Sequence, residues 1–321
     1  MSSSRVAVVT DSTAALPGGG AGVRAVVTFD GVRLDLLGGS VAGGSVAGHE
    51  AVDAVGPGLT GIVPLHVVLG DDTYREGVDL TTNELVARIV AGDRAGTTQP
   101  SPQAFADAYR AAADAGAREV VSVHLSGALS GTVDAARLAA RSAPVRVHVV
   151  DSRTAGAALG LAVLAARRTL DDGGDAAEAV RVATAVCASS ATAFLVESLE
   201  HLRRGGRLGR AASTIGTILG VRPILELREG RIEVAHMARG RRSAETRLES
   251  LVVARAEGLA DPRLAVHYFD ERDAADALAA RMTAQTGLDV DVLEVSAVLG
   301  AHVGPGLLGA VVADGGGGRA G

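Results

Sequence analysis

The alternation of short β-branched runs with alanine-rich stretches constrains this 321-residue chain more than any other feature. Val6-Ala7-Val8-Val9-Thr10 is a near-continuous apolar run, the mark of a strand buried on both faces. Residues 61–69, 119–124 and 145–150 read as further strands. Between them, 85–90, 105–113 and 132–141 carry helical periodicity. Strands alternating with helices predict a parallel sheet covered on both faces, with ligands bound beyond the carboxyl ends of its strands. A second block begins near residue 154. Residues 155–170, 176–185, 198–203, 243–257 and 274–286 read as helices, and 192–196, 264–268, 290–295 and 308–312 as strands. Residues 221–227 and 231–236 read as a hairpin whose connection, Arg228-Glu229-Gly230, contains the glycine of a tight turn.

The length favours two domains. We place an N-terminal α/β domain at 1–153, a parallel sheet flanked by helices, and a smaller C-terminal α/β domain at 154–314. Residues 18–57 are a Gly-rich insertion with a tandem Gly-Ser-Val-Ala-Gly at 39–43 and 44–48, and 315–321 are a Gly-rich tail. Neither carries the pattern of a packed element. The apolar run 155–166 is too short to span a bilayer and reads as a buried helix packing on a sheet. The polar start, Met1 to Ser4, followed directly by a strand, has no signal-peptide pattern, so a cytoplasmic protein is expected.

Composition excludes several function classes. Hydrophobic residues make up 47% of the chain, enough for a core, which excludes global disorder. A net charge of −6 argues against a protein that coats nucleic acid. Aromatics are 2% and Trp is absent, so there is no stacking platform for single strands. The single cysteine, Cys187, permits no internal disulfide and no multi-cysteine metal cluster. Every one of the 31 basic side chains is Arg, so neither a P-loop Lys nor a Schiff-base Lys exists. Gly20-Ala21-Gly22-Val23-Arg24-Ala25 matches G-x-G-x-x-A but follows a turn-like Pro17-Gly18-Gly19 and precedes a β-branched run, the wrong context for a dinucleotide. The common G-x-S-x-G and H-E-x-x-H signatures are absent. His66, His124 and His148 fall within strand-like runs and read as hydrogen-bonded core residues.

Several polar constellations remain. Asp11-Ser12-Thr13 follows the first strand and reads as an N-cap. In Thr97-Thr98-Gln99-Pro100-Ser101-Pro102, Ser101 caps the next helix and Pro102 takes its first position, which leaves the hydroxyls of Thr97 and Thr98 for capping or for an anionic ligand. Leu129-Ser130-Gly131-Thr132 repeats this arrangement, with Ser130 beside a helix start, and two such strand ends in one sheet can converge on one ligand. Residues 203–210 gather Arg203, Arg204, Arg207 and Arg210 around glycines. That pattern reads either as a solvated helix end or as a turn presenting Arg207 to an anion. Arg239-Gly240-Arg241-Arg242 is a second basic cluster. Gly300-Ala301-His302-Val303-Gly304-Pro305-Gly306 reads as a tight turn that fixes one histidine.

Taken in order, these segments resemble one family. Val8-Val9-Thr10-Asp11-Ser12-Thr13, Val63-Pro64-Leu65, Tyr74-Arg75-Glu76-Gly77-Val78-Asp79, Thr97-Thr98-Gln99-Pro100-Ser101, Leu129-Ser130-Gly131-Thr132, Val150-Asp151-Ser152, the Leu202 to Leu208 stretch and the Gly300 to Gly306 stretch are similar to the successive motifs of the DegV family. These proteins are fatty-acid-binding subunits of a bacterial fatty acid kinase system. The resemblance implies a long-chain fatty acid between two α/β domains, its acyl chain in an apolar tunnel of the second. Its carboxylate would be held by Thr97, Thr98 and Ser130, with Arg207 and His302 assisting. A nearby Arg or a protonated His would favour the ionised carboxylate. The resemblance also implies no cofactor or metal, no catalysis by this chain, and a separate kinase catalytic subunit as partner, with at most transient membrane contact. The sequence departs from the family at the 18–57 insertion, at Thr98 in place of Ser, and at Arg204 in place of Lys. Two other readings use the same residues: an acyl hydrolase with Ser130 and His302, and a regulatory domain for another anionic metabolite.

Overall fold

The computed structural model describes residues 6–16, 25–29, 32–36, 60–208 and 221–316. The first elements are β1 (Val6–Asp11), β2 (Ala25–Phe29), β3 (Val32–Leu36), β4 (Thr60–Val63), β5 (His66–Leu69) and β6 (Asp72–Arg75). Then come α1 (Thr82–Val90), β7 (Ala95–Thr98), α2 (Pro102–Asp114), β8 (Glu119–His124), α3 (Thr132–Ala140) and β9 (Arg146–Asp151). Two helices, α4 (Ala157–Asp171) and α5 (Ala176–Ser189), lead to β10 (Ala191–Leu195), α6 (Glu200–Arg204), β11 (Val221–Arg228) and β12 (Arg231–Arg239). The chain continues through α7 (Arg241–Ala256), β13 (Pro262–Phe269), α8 (Arg272–Thr286), β14 (Val290–Glu294), α9 (Ala297–Val303) and β15 (Leu307–Asp314).

The first main sheet, ordered β4-β1-β8-β9, is parallel throughout. Side chains alternate across it, so one strand supplies two cores. Val6 and Val8 pack with Leu159, Ala162 and Val163 of α4. Ala7 and Val9 pack with Phe105 and Tyr109 of α2 and Ala135 and Ala136 of α3. That double burial explains why β1 has no polar alternation. The second main sheet is ordered β12-β11-β10-β15-β13-β14. Only its β13–β14 pair is parallel; the other four pairings are antiparallel. Its outer face packs on α7 and α8 through Leu248, Val252, Leu278 and Met282.

Helix α4 lies between the two sheets. Ala157 and Ala158 pack against Ala265, Leu293 and Val311 of the second sheet, while the next turns face the first. A helix apolar all round is a buried helix, which agrees with the reading of 155–166. Its first free N–H, on Ala157, donates to His267 Nε2 at 2.9 Å, and His267 Nδ1 donates to Leu293 O at 3.1 Å. Burial pushes His267 down to about 4, so the ring is neutral at pH 7 and holds its proton on Nδ1.

Several expectations are corrected. Residues 61–69 are not one strand. Pro64 offers no N–H, Leu65 N–H turns to Ser12 Oγ at 2.9 Å, and β5 joins a separate antiparallel sheet ordered β6-β5-β7. Strands β6 and β7 are only four residues long and lack an apolar run, and β7 contains Gly96. The second block, expected only as a smaller α/β domain, builds a mainly antiparallel sheet from strands distant in sequence. Asp11 caps no helix within the described residues. Its Oδ1 accepts from Thr13 N–H at 3.1 Å, an Asx turn, and its Oδ2 from Leu125 N–H at 2.9 Å. Within 18–57, β2 and β3 form an antiparallel pair, whereas the tandem 39–48 and most of the G-x-G-x-x-A stretch lie outside the described residues. Gly315, assigned to the tail, is placed by hydrogen bonds to Asp261 O and from Arg168; 317–321 lie outside the described residues. The 221–236 hairpin forms as expected, with Glu229 and Gly230 both at positive φ as a type I′ turn requires. Its tip docks on the first half, where Ser126 Oγ donates to Gly230 O at 2.8 Å.

Because α4 is shared by both sheets, its core contacts should dominate stability. Leu159→Ala, at a fully buried site, is expected to cost about 2–5 kcal/mol in urea unfolding. Leu138→Ala, on the exposed face of α3, should cost no more than about 0.5 kcal/mol. Similar midpoints for the two variants would contradict the placement of α4.

Candidate ligand-binding site

A cavity of about 310 Å³ lies where β7, the loop after β8, the turn after α6 and helix α9 meet. Ligand sites run from roughly 300 to 1,000 Å³, so it is at the compact end. All five residues singled out from the sequence line it: Thr97 and Thr98 from β7, Ser130 from the loop before α3, Arg207 from the turn after α6, and His302 from α9. Apart from Gln99, the remainder of the wall is apolar. Leu65, Leu125 and Leu129 come from before residue 153, and Leu202, Ile232, Val298, Leu299 and Val303 from after it. The apolar wall thus draws on both sides of residue 153, while the alanines of α4 lie in the two sheet cores.

Thr97 Oγ1 and His302 Nε2 are 2.7 Å apart, joining residues 205 positions distant in sequence. His302 Nδ1 is buried with no hydrogen-bond partner. A buried N–H without an acceptor costs more than an unprotonated nitrogen without a donor. The network therefore puts the ring proton on Nε2, donated to Thr97 Oγ1, and leaves the Thr97 O–H to donate into the cavity. Burial, with Arg207 adding to it, pushes His302 down to about 4. Of the two expected sources of positive charge, the His302 ring is therefore neutral at pH 7, which leaves Arg207.

Arg207 Nε donates to Leu129 O at 3.0 Å and its Nη1 to Gly205 O, tying the Ser130 loop to the α6 turn. Ser130 Oγ lies 2.8 Å from Thr132 Oγ1. Gly131 is needed here: a Cβ on it would fall 2.0 Å from Gln99 Oε1. Gln99 also lines the cavity and was missed as a site residue, although it sits inside the Thr97–Ser101 motif. His302 is in the last turn of α9 rather than in a tight turn; Ser296 Oγ caps that helix by accepting from Leu299 N–H.

A second residue escaped the sequence reading. Glu76 is buried, its Oε1 accepts from Val298 N–H, and its Oε2 accepts the Ser12 hydroxyl. A carboxylate beside Gly77 reads as a turn, and its place in a family-like stretch was the only signal. Burial pushes Glu76 up to about 7 against the pull of Ser12, Val298 and Ser296.

Other groups are structural. Asp11, His124 and Ser122 form a triad-like chain, with Asp11 Oδ2 3.1 Å from His124 Nδ1 and His124 Nε2 2.6 Å from Ser122 Oγ. It is fully buried beside Tyr109 and cannot meet a substrate. His148 pairs with Glu119 Oε2 at 2.7 Å, but His66 departs from expectation, with Nδ1 buried and unpartnered. Arg241 is absorbed in ion pairs with Glu197, Glu245 and Glu271. Arg210 lies outside the described residues. Ser130 bonds Thr132 and His302 bonds Thr97, so the serine–histidine pair of a hydrolase is not formed. Among the described residues no helix is long and apolar enough to cross a membrane.

The raised Glu76 carboxyl makes stability depend on pH. Its folded pKa, about 7, lies above the ordinary 4.5, so the retained proton stabilises the fold fully below pH 4.5. That contribution is lost as pH rises to about 7. Glu76→Gln lacks the titration, so wild type should lose on the order of 3 kcal/mol relative to it between about pH 4.5 and 7.5. Parallel pH profiles in urea unfolding would contradict this.

The matches to known proteins follow the same geometry. A family model described as "Uncharacterised protein, DegV family" matches residues 60–314. A DegV domain-containing protein of Streptomyces coelicolor is 46% identical over 252 residues, 78% of this chain and 89% of its own. A DegV family protein from Thermus thermophilus, solved in a study of its fatty acid binding, superposes with TM-score 0.80 at 33% identity, covering 97% of this chain and 99% of that one. DegV of Bacillus subtilis, described as a fatty acid binding protein, superposes with TM-score 0.79 at 25% identity, covering 97% and 99%. With 255 consecutive residues spanned by the family model and the motif residues meeting in one cavity, this chain belongs to the DegV family.

Proposed function

We propose that this protein binds a long-chain fatty acid, holds its carboxylate with Thr97, Thr98, Ser130, Arg207 and His302, and presents it to a separate fatty acid kinase catalytic subunit. The observation that carries the reading is one cavity walled by two unlike kinds of group. Thr97, Thr98, Gln99, Ser130, Arg207 and His302 supply its polar atoms, and leucine, isoleucine and valine form the rest. An acyl chain gains roughly 0.8 kcal/mol per buried CH₂. A carboxylate entering the same space must recover its lost hydration through charge-assisted hydrogen bonds. The Thr97 hydroxyl, oriented by the neutral His302 ring, is ready to donate, and Arg207 favours the ionised acid. The fatty acid binding of the Thermus and Bacillus proteins supports this reading. In this account the chain does no chemistry itself, uses no cofactor or metal, and works in the cytoplasm, with the acyl phosphate made by its kinase partner. The division into units at about residue 153 belongs to the same proposal, since the cavity draws on both.

Removing one hydroxyl is expected to weaken fatty acid binding by roughly 1–3 kcal/mol, about 5- to 100-fold. The triple variant Thr97→Ala, Thr98→Ala, Ser130→Ala should fold normally and lose more than about 100-fold in a displacement titration. Unchanged affinity in that variant would overturn the carboxylate assignment. Hydrolysis of acyl esters by the protein alone, or binding of a phosphate-bearing metabolite with none of fatty acid, would overturn the carrier reading. Adding the kinase subunit and ATP should yield acyl phosphate only when all components are present.

A further inference from the structure

We infer that Glu76 is a positioning residue for this site: its carboxylate clamps helix α9 to the exit of β1, and so keeps the His302 ring in reach of Thr97. The inference rests on the fatty acid reading for its function and on geometry for its structure.

Three contacts converge on Glu76. Its N–H donates to Leu65 O at 2.9 Å, fixing its backbone to the segment between β4 and β5. Its Oε1 takes the N–H of Val298, 222 residues away and in the first turn of α9. Its Oε2 takes the hydroxyl of Ser12, whose oxygen in turn accepts from Leu65 N–H at 2.9 Å. Glu76 therefore joins the exit of β1, the β4–β5 segment and α9, the first and last through its carboxylate and the second through its backbone N–H.

Helix α9 needs such an anchor. It has seven residues, too few to be stable alone, so its position is set by tertiary contacts. Val298, Leu299, His302 and Val303 all line the cavity. His302 lies one turn beyond Val298, so a shift of the first turn is carried to the ring. The Thr97–His302 hydrogen bond crosses between the same two parts of the chain that Glu76 joins from the opposite end of the helix. Glu76 itself does not line the cavity and acts only through α9.

The test compares wild type, Glu76→Ala and Glu76→Gln, each also in a His302→Ala background, by fatty acid displacement titration. In parallel, side-chain ¹⁵N spectra of the ligand-free proteins report the His302 ring, assigned by its loss in His302→Ala. Glu76→Ala should weaken binding about tenfold, and Glu76→Gln, which keeps an acceptor for Val298 N–H, should recover most of that loss. The effect of Glu76→Ala should shrink in the His302→Ala background, since part of it acts through the ring. The His302 ring signal should move in Glu76→Ala without ligand. If Glu76→Ala fails to fold, Glu76→Asp, shorter by one CH₂, takes its place and is expected to weaken binding and move the ring signal. An unmoved ring signal, or an equal loss in both backgrounds, would overturn the inference. Should wild type bind no fatty acid at all, the functional reading fails, while the ligand-free spectra still decide the role of Glu76.

Discussion

Helix α4 is the member on which the rest of the structure depends. Its first turn is bonded to His267 and packed on the second sheet, and its later turns fill the core of the first. Two sheets that share no strand are thereby held at a fixed separation. The docked β11–β12 hairpin and helix α9 add further ties between the two parts. The cavity exists because these ties leave a gap, between the β7 edge and α9, that no core side chain fills.

Within that gap the chemistry follows from burial. Desolvation keeps His302 neutral, so it serves as a donor to Thr97 and carries no charge. The positive charge comes from Arg207, which is held by two carbonyl oxygens. A site of hydroxyls, one neutral imidazole and one guanidinium suits an anion at the end of an apolar chain. Nucleophilic catalysis needs more: a base bonded to the nucleophile and oriented by a third group. Here Ser130 and His302 are bonded to different threonines.

Much of this was legible in the sequence, and the losses have physical causes. The parallel sheet was readable because β1 and β8 are buried on both faces and so consist of apolar runs. The antiparallel order of the second sheet was not, since β10 pairs with β15 across more than a hundred residues and no local pattern encodes the partner. Strand β7 is four residues long and contains Gly96, too short a run for its two threonines to mark it as a strand. Helix α9 looked like a turn because Gly300 lies inside it and Gly304-Pro305-Gly306 follows directly; its helicity comes from Ser296, Glu76 and packing. Thr97, Thr98, Ser130, Arg207 and His302 were found through ordered motifs, each near the end of an element. Gln99 and Glu76 were missed because their partners, Gly131 and Val298, are distant in sequence.

The central claim is that a fatty acid occupies the cavity with its carboxylate at the Thr97–His302 end. Mass spectrometry of the purified protein, first native and then denatured with lipid extraction, tests it most directly. The account predicts a stoichiometric adduct on the native protein that is released on denaturation as a free long-chain fatty acid. A clean ligand-free mass that stays unchanged after incubation with fatty acids would contradict it.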